Sequence, residues 1–398
     1  MPKRRGMIRN FPTETASMST HSTRVHGLDT LRALAVTLVV LHHYVLFVSN
    51  APTFGWVGEI GWVGVDLFFA LSGYLIGNQI FAGMKSPGGF SLKHFYARRL
   101  LRTLPNYWVV LALYFLWPAF RGEAPLLPLW EYATFIQNFA LEPGIAFSHS
   151  WSLAIEEQFY VLLPALALLG AALKGSLRGS LRLAWSAIAL AFIAGMLVRA
   201  NLWQEMAEQN YKLYFYFKYI YYSSLCRYDE LLAGVALALL RNQHAGIWAQ
   251  LTRHGNLMGV LGLLVCALAF RFFLDDRYGF GITVFGFPLM ALGFSLLIVA
   301  SVAEGSLLRG LRVPGAGQLA LWSYAIYLLH KPVCVMAAGW LQGQGYGAGH
   351  PLTIGALLLL SVVTGWLLYK LVETPFMLLR ERYVPSNAAR PASRQVIV

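Results

Sequence analysis

The 398-residue chain is 57% hydrophobic and only 12% charged, whereas soluble domains are about one quarter charged. That composition excludes an ordinary soluble enzyme. The net charge of +13 is not a nucleic-acid footprint either, because the basic residues gather at the ends of apolar runs.

Taken in chain order, residues 1–27 are polar, lack the apolar core of a cleavable signal peptide, and are expected to form a cytoplasmic N-terminal segment. Apolar stretches then recur, each long enough to cross a hydrocarbon core of about 30 Å. Ten spans are predicted: 31–49, 61–81, 104–120, 151–173, 183–202, 219–240, 255–274, 282–302, 317–341 and 352–371. The expected fold is therefore all-α: a polytopic membrane protein with about ten transmembrane helices in one domain over 28–380. Residues 381–398, including PSNAARPASRQ from Pro385, read as a disordered cytoplasmic tail. With both termini inside, 22 of the 31 Lys and Arg residues fall in cytoplasmic segments or span edges, which sets the orientation by the positive-inside rule. The longest outer segment, Ala119 to Ser150, is expected to help cover a substrate site. Cys226, Cys266 and Cys334 lie in or beside spans without metal-ligand spacing and read as packing residues.

Among the ionisable residues inside these spans, eleven stand out: Arg32, His42, His43, Asp66, Glu156, Glu157, Arg227, Asp229, Glu230, His330 and Lys331. Each charge at mid-bilayer costs at least about 2.5–3.5 kcal/mol, so such groups face the protein interior. They either form a functional site or join helices as ion pairs, Arg227 with Asp229 or Glu230 being an example. His43 stands eleven residues after Arg32, about 16 Å deeper at 1.5 Å of rise per residue. Asp66, Glu156, His43 and His330 are all placed in the outer half of the membrane, and Arg32 at the inner edge. Ser152, Glu156 and Tyr160 form one stripe at i, i+4, i+8, with Glu157 turned away as a structural or rim residue. Arg98 and Arg102, also at i, i+4, make with Arg99 a cationic cluster able to hold phosphates, or else a topology anchor.

The motifs, taken together, resemble those of the integral-membrane acyltransferase 3 family. GLDTLRALAVTLVVLHHY carries Arg32 and His43 at the family's spacing; GWVGVDLFFALSGYLI carries Asp66, Ser72 and Gly73; FYARRLLRTLPNYW carries Arg98, Arg99, Arg102, Pro105 and Tyr107. WSLAIEEQFYVLLP carries Glu156, Gln158, Phe159 and Tyr160, and RYDELLAGVALA, SYAIYLLHKP and a late ETP follow in order. The resemblance covers about residues 27 to 380. Its departure is the doubled His42–His43, where spacing gives the role to His43.

The resemblance implies a bacterial inner-membrane O-acyltransferase moving an acyl group, with acetyl expected, from cytoplasmic acyl-CoA to a hydroxyl of a surface carbohydrate or lipid-linked glycan. Polysaccharide and lipopolysaccharide units are among the acceptors it allows. Acyl-CoA is a co-substrate, so no bound cofactor, metal or nucleic acid is expected. Arg32, Arg98, Arg99 and Arg102 would hold the acyl-CoA phosphates. His43 is the expected base, its ordinary pKa lying near neutrality. Glu156 would orient it, with Asp66 as the competing partner. Ser72, Trp151, Ser152, Tyr160, Asp229 and His330 are expected to support the site or the acceptor; for Trp151 and Tyr160 an interfacial belt is the alternative. Because the chain ends soon after the tenth span, the membrane domain is expected to carry the whole reaction. A proton-coupled or lipid-linked sugar transporter would also bury His, Asp and Glu, and a haem or metal protein would use His42, His43 and His330.

Overall fold

The computed structural model describes residues 25–174, 176–210 and 213–387. The expected N-terminal segment up to Arg24 and the last eleven residues of the expected tail lie outside them. All regular structure among the described residues is helical. The long helices are α1 (His26–Tyr44), α2 (Val63–Met84), α3 (Leu92–Leu116), α4 (Trp151–Lys174) and α5 (Leu177–Glu208). They continue with α6 (Asp229–Gln243), α7 (Gly255–Asp275), α8 (Phe287–Val302), α9 (Ala316–Gly343) and α10 (Pro351–Leu368).

Eight segments are long and apolar enough to cross a membrane: His26–Ser49, Val63–Met84, Ser148–Leu173, Arg178–Glu208, Gly255–Asp275, Ile282–Val302, Ala316–Gly343 and Pro351–Tyr383. The third and sixth expected spans are not among them. The third falls mostly in α3, whose first half carries Lys93, Arg98, Arg99 and Arg102, and runs past its end at Leu116. The sixth, expected over 219–240, is broken. A π-helical turn, Tyr216–Tyr221, and a 3₁₀ turn, Ser224–Cys226, precede α6, which is only 15 residues long and so rises about 22 Å. Arg227 sits in the break, fully buried. Unwinding frees the Tyr221 carbonyl to accept its Nη1 at 3.4 Å.

Close packing of α2 on α6 explains two glycines. A Cβ on Gly73 would stand 2.1 Å from the Leu231 carbonyl oxygen, and one on Gly234 2.3 Å from that of Ala70. In lipid no hydrophobic force draws helices together, so small residues that let backbones touch supply the contact. Helix α1 buries Leu31, Ala35 and Val39 at helical spacing, and it packs between α2 and α9. The expected tail is partly ordered: residues up to Tyr383 are helical, and the Asn387 amide exchanges hydrogen bonds with the Ser91 backbone at 3.1 and 3.0 Å.

The segment between α3 and α4, expected to be the longest outer loop, folds down onto the bundle. Tyr107 donates to the Tyr132 carbonyl and Tyr132 to that of Ala146, both at 3.1 Å. Gln158 of α4 donates to the Phe135 carbonyl at 2.7 Å and to Asn138 Oδ1 at 2.9 Å. The loop ends on Phe147, whose φ of 57° is strained for a bulky residue. That turn delivers Ser148, His149 and Ser150 into the protein interior.

Candidate active site

Two cavities meet at a partition made by Val65 of α2 and Tyr327 of α9, which line both. The first, called inner after the expected orientation and about 100 Å³, is walled by Arg32, Ser72, Arg102, Glu156, Glu157 and Tyr324. The outer one, about 110 Å³, is walled by His42, His43, His149, Trp151, Tyr222 and Arg277. The Tyr327 hydroxyl lies 2.6 Å from the His149 carbonyl and 2.6 Å from Ser152 Oγ. A phenol has one proton and the carbonyl can only accept, so Tyr327 donates to His149 and Ser152 donates to Tyr327.

Three imidazoles meet beside the outer cavity: His43 and His149 on its wall, and His330 in contact with both. The His43 and His330 rings lie nearly coplanar, centroids 4.9 Å and planes 7° apart, and His149 stands edge-on to both at 6.0 and 5.6 Å. Their partners assign the protons. His330 Nδ1 lies 3.0 Å from the Ile326 carbonyl and must donate to it. The other nitrogen of the neutral ring, Nε2, is then bare, and it sits 2.6 Å from His43 Nδ1. His43 Nδ1 is therefore the donor of that pair, and His43 Nε2 keeps its lone pair. His149 is fixed by a proline: Pro332 has no N–H to give the Leu328 carbonyl, and His149 Nε2 donates there at 3.2 Å instead. Lys331 donates to Ser148 Oγ at 2.7 Å and lies 4.0 Å over the Phe47 ring. His42 points away from this cluster's centre, its Nδ1 donating to the Gly58 carbonyl at 2.7 Å.

Several expected partnerships are corrected. His43 is held by His330, not by Glu156 or Asp66. Glu156 belongs to the inner cavity, where Oε1 accepts from Ser72 Oγ at 2.9 Å; Glu157, expected at the rim, lines the same cavity. Asp66 lines neither cavity. It is fully buried and accepts from the Arg227 guanidinium, which also packs 5.0 Å from the Trp151 ring and 4.2 Å from that of Phe287. Asp229 is clamped by Arg199, Nη1 at 2.6 Å and Nη2 at 3.0 Å. These are helix-joining ion pairs, but not between Arg227 and Asp229. The arginine cluster also separates. Arg98 pairs with Glu381 at 2.7 Å and donates to the Val384 carbonyl at 2.6 Å. Arg99 lies 3.7 Å over the Tyr160 ring, which takes Tyr160 off the cavity wall. Arg102 and Arg32 face the inner cavity.

Sequence reasoning did not single out His149, Tyr327 or Arg199 for these positions. His149 lies just outside an apolar run, Tyr327 is one of several aromatics in SYAIYLLHKP, and Arg199 stands near the end of the fifth expected span. At the protein surface, Lys218 donates to Glu142 Oε1 at 2.5 Å, and this bond holds the Glu142 carboxyl below the usual carboxylate range. No set of three or more His, Cys, Asp or Glu side chains is placed to hold a metal ion among the described residues.

Comparison with known proteins bears on this arrangement. A family model described as an acyltransferase domain matches residues 25–370. YrhL of Bacillus subtilis (strain 168), which carries a name for peptidoglycan O-acetylation, is 28% identical over 80% of this chain and 50% of its own. The peptidoglycan O-acetyltransferase OatA of Listeria monocytogenes is 26% identical over 80% of this chain and 50% of its own. SACOL0978 of Staphylococcus aureus (strain COL), named for O-acetyl transfer, is 26% identical over 88% and 57%. The chain thus spans about half the length of the curated relatives it matches. No solved structure matches it.

Proposed function

Since the chain belongs to the membrane acyltransferase family whose domain covers residues 25–370, we propose that it moves an acetyl group from cytoplasmic acetyl-CoA to a hydroxyl of a cell-surface carbohydrate. In this reading ten helices cross the bacterial inner membrane, with both termini in the cytoplasm. The basic inner cavity then opens toward the donor and the histidine cavity toward the acceptor. The relatives named for peptidoglycan O-acetylation make a glycan the leading acceptor class.

The observation that carries the reading is the bare Nε2 of His43, aimed by His330 beside the partition between two cavities. The thioester enters from the Arg32 side and its carbonyl reaches Tyr327. The acceptor hydroxyl gives its proton to His43 Nε2 as its oxygen attacks the thioester carbon. The C–S bond then breaks, and the proton passes to the departing thiolate. As His43 becomes charged, its Nδ1–H bond to His330 becomes charge-assisted and strengthens, so the pair favours the charge-separated state over the resting one. Ser148 lines the outer cavity and accepts from Lys331, whose charge stands behind it. No finding favours the transporter reading.

Comparing glycan O-acetylation by NMR in a deletion strain and its parent tests this directly. Acetyl esters present in the parent and missing from the deletion strain are expected; identical ester content in both would refute the proposal.

A further inference from the structure

The inner cavity is too small for the whole donor. At about 100 Å³ it admits a slender arm, whereas pockets for drug-sized ligands run to about 300–1,000 Å³. A third cavity meets that size, at about 650 Å³. It lies between α1, α2, α6, the end of α8 and the short helix Ala245–Arg253. Leu28 lines it on the helix face that one turn later presents Arg32 to the inner cavity. Leu75 lines it one turn after Leu71, which faces the inner cavity on α2. The groove therefore lies directly inward of the inner cavity, about one 5.4 Å turn away.

Its chemistry suits a phosphorylated aromatic. Arg241, Arg253 and Arg309 converge on it. Arg241 Nη1 donates to the Tyr74 hydroxyl at 2.5 Å, and Tyr74 and Trp248 lie with planes 19° apart at 6.3 Å. Arg309 is braced by the Val302 carbonyl at 2.7 Å. Glu304, highly exposed, is the one opposing charge, 3.6 Å from Arg309. Arg253 is exposed and has no hydrogen bond or ion pair among the described residues. Nothing in the family resemblance placed these three arginines in the site. Of the four arginines it did name, Arg98 and Arg99 are engaged by Glu381 and Tyr160, and Arg32 and Arg102 face the inner cavity.

We infer that this groove binds the nucleotide of the acyl-CoA donor, the three arginines holding its phosphates and Trp248 packing on its purine. The acyl-bearing arm then runs past Arg32 toward His43. From Leu28 to His43 the rise is about 22 Å, comparable with an extended phosphopantetheine arm. Charge-assisted contacts to guanidinium give the affinity, and aromatic stacking on the base adds to it.

The inference rests on the acyl-CoA reading above, and its test separates the two. Acetyl transfer by the full chain in membranes is measured with two donors, acetyl-CoA and S-acetyl-N-acetylcysteamine, which keeps the thioester but lacks the nucleotide. Arg253→Ala, alone and combined with Arg241→Ala, is expected to raise the KM for acetyl-CoA about tenfold or more without a matching rise for the truncated thioester. Arg253→Lys should recover part of the loss. Arg253 is exposed and makes no side-chain hydrogen bond or ion pair among the described residues, so its loss leaves the fold intact. A KM for acetyl-CoA that stays at the wild-type value in both variants overturns the inference while leaving the donor reading standing. If the same variants instead lose co-purified phosphatidylglycerol, the groove holds a lipid headgroup, and the inference also falls. Wild-type membranes that transfer nothing from acetyl-CoA would refute the donor reading itself.

Discussion

Two sets of charge lie inside this bundle, and they meet the cost of burial differently. Around α6, Arg227 pairs with Asp66 and Arg199 with Asp229, all four side chains wholly buried. Around the inner cavity, Arg32, Arg102, Glu156 and Glu157 are only half-buried and share a space that a ligand can enter. Both sets satisfy the rule that intramembrane charge faces the protein. Only the second leaves its charges open to chemistry. An ionisable residue in a span is thus half a statement; the partner supplies the rest.

That contrast can be broken by exchanging single residues. The largest effect is expected at the paired set: Arg227→Leu strands the Asp66 carboxylate, at a cost of about 3–5 kcal/mol, and the double variant Asp66→Leu with Arg227→Leu should regain much of it. Thermal unfolding in detergent reads both. An Asp66→Asn protein that keeps wild-type stability but loses transfer would instead return Asp66 to the chemistry. Among the cavity charges, Glu156→Gln keeps an acceptor for Ser72. It should change stability by less than about 1 kcal/mol while lowering acetyl transfer, and an unchanged rate would make Glu156 a packing residue too. The smallest effect belongs to Lys218 and Glu142 at the surface. Glu142 is held below its ordinary pKa by Lys218, so the pair's stabilisation is present above the unfolded carboxylate's pKa of about 4.3. It is lost as pH falls through the lowered folded value. Lys218→Met should lower Tm by no more than about 2 °C at pH 7, and the difference should vanish in strong acid.

The helical membrane fold and the motif-bearing residues were legible because apolar length and 3.6-residue spacing are local properties. Arg32 and His43 could be placed on one helix by counting. Partners could not, because they are made by tertiary packing: His43 meets His330 287 positions away, Ser72 meets Glu156 84 away, and Asp66 meets Arg227 161 away. The break before α6 was hidden because YIYYSS and the residues after it keep an apolar average, while the unwinding answers to the burial of Arg227. His149 escaped notice for the opposite reason. It lies in a loop by hydropathy and is drawn inward by the carbonyl that Pro332 leaves free.

The account stands on His43 Nε2 as the group that accepts the acceptor's proton. Transfer of label from acetyl-CoA should be followed in membranes carrying His43→Ala, His42→Ala or the wild-type chain at equal protein level. Loss of transfer by His43→Ala, with most of it kept by His42→Ala, is the predicted result. Full activity of His43→Ala would contradict it.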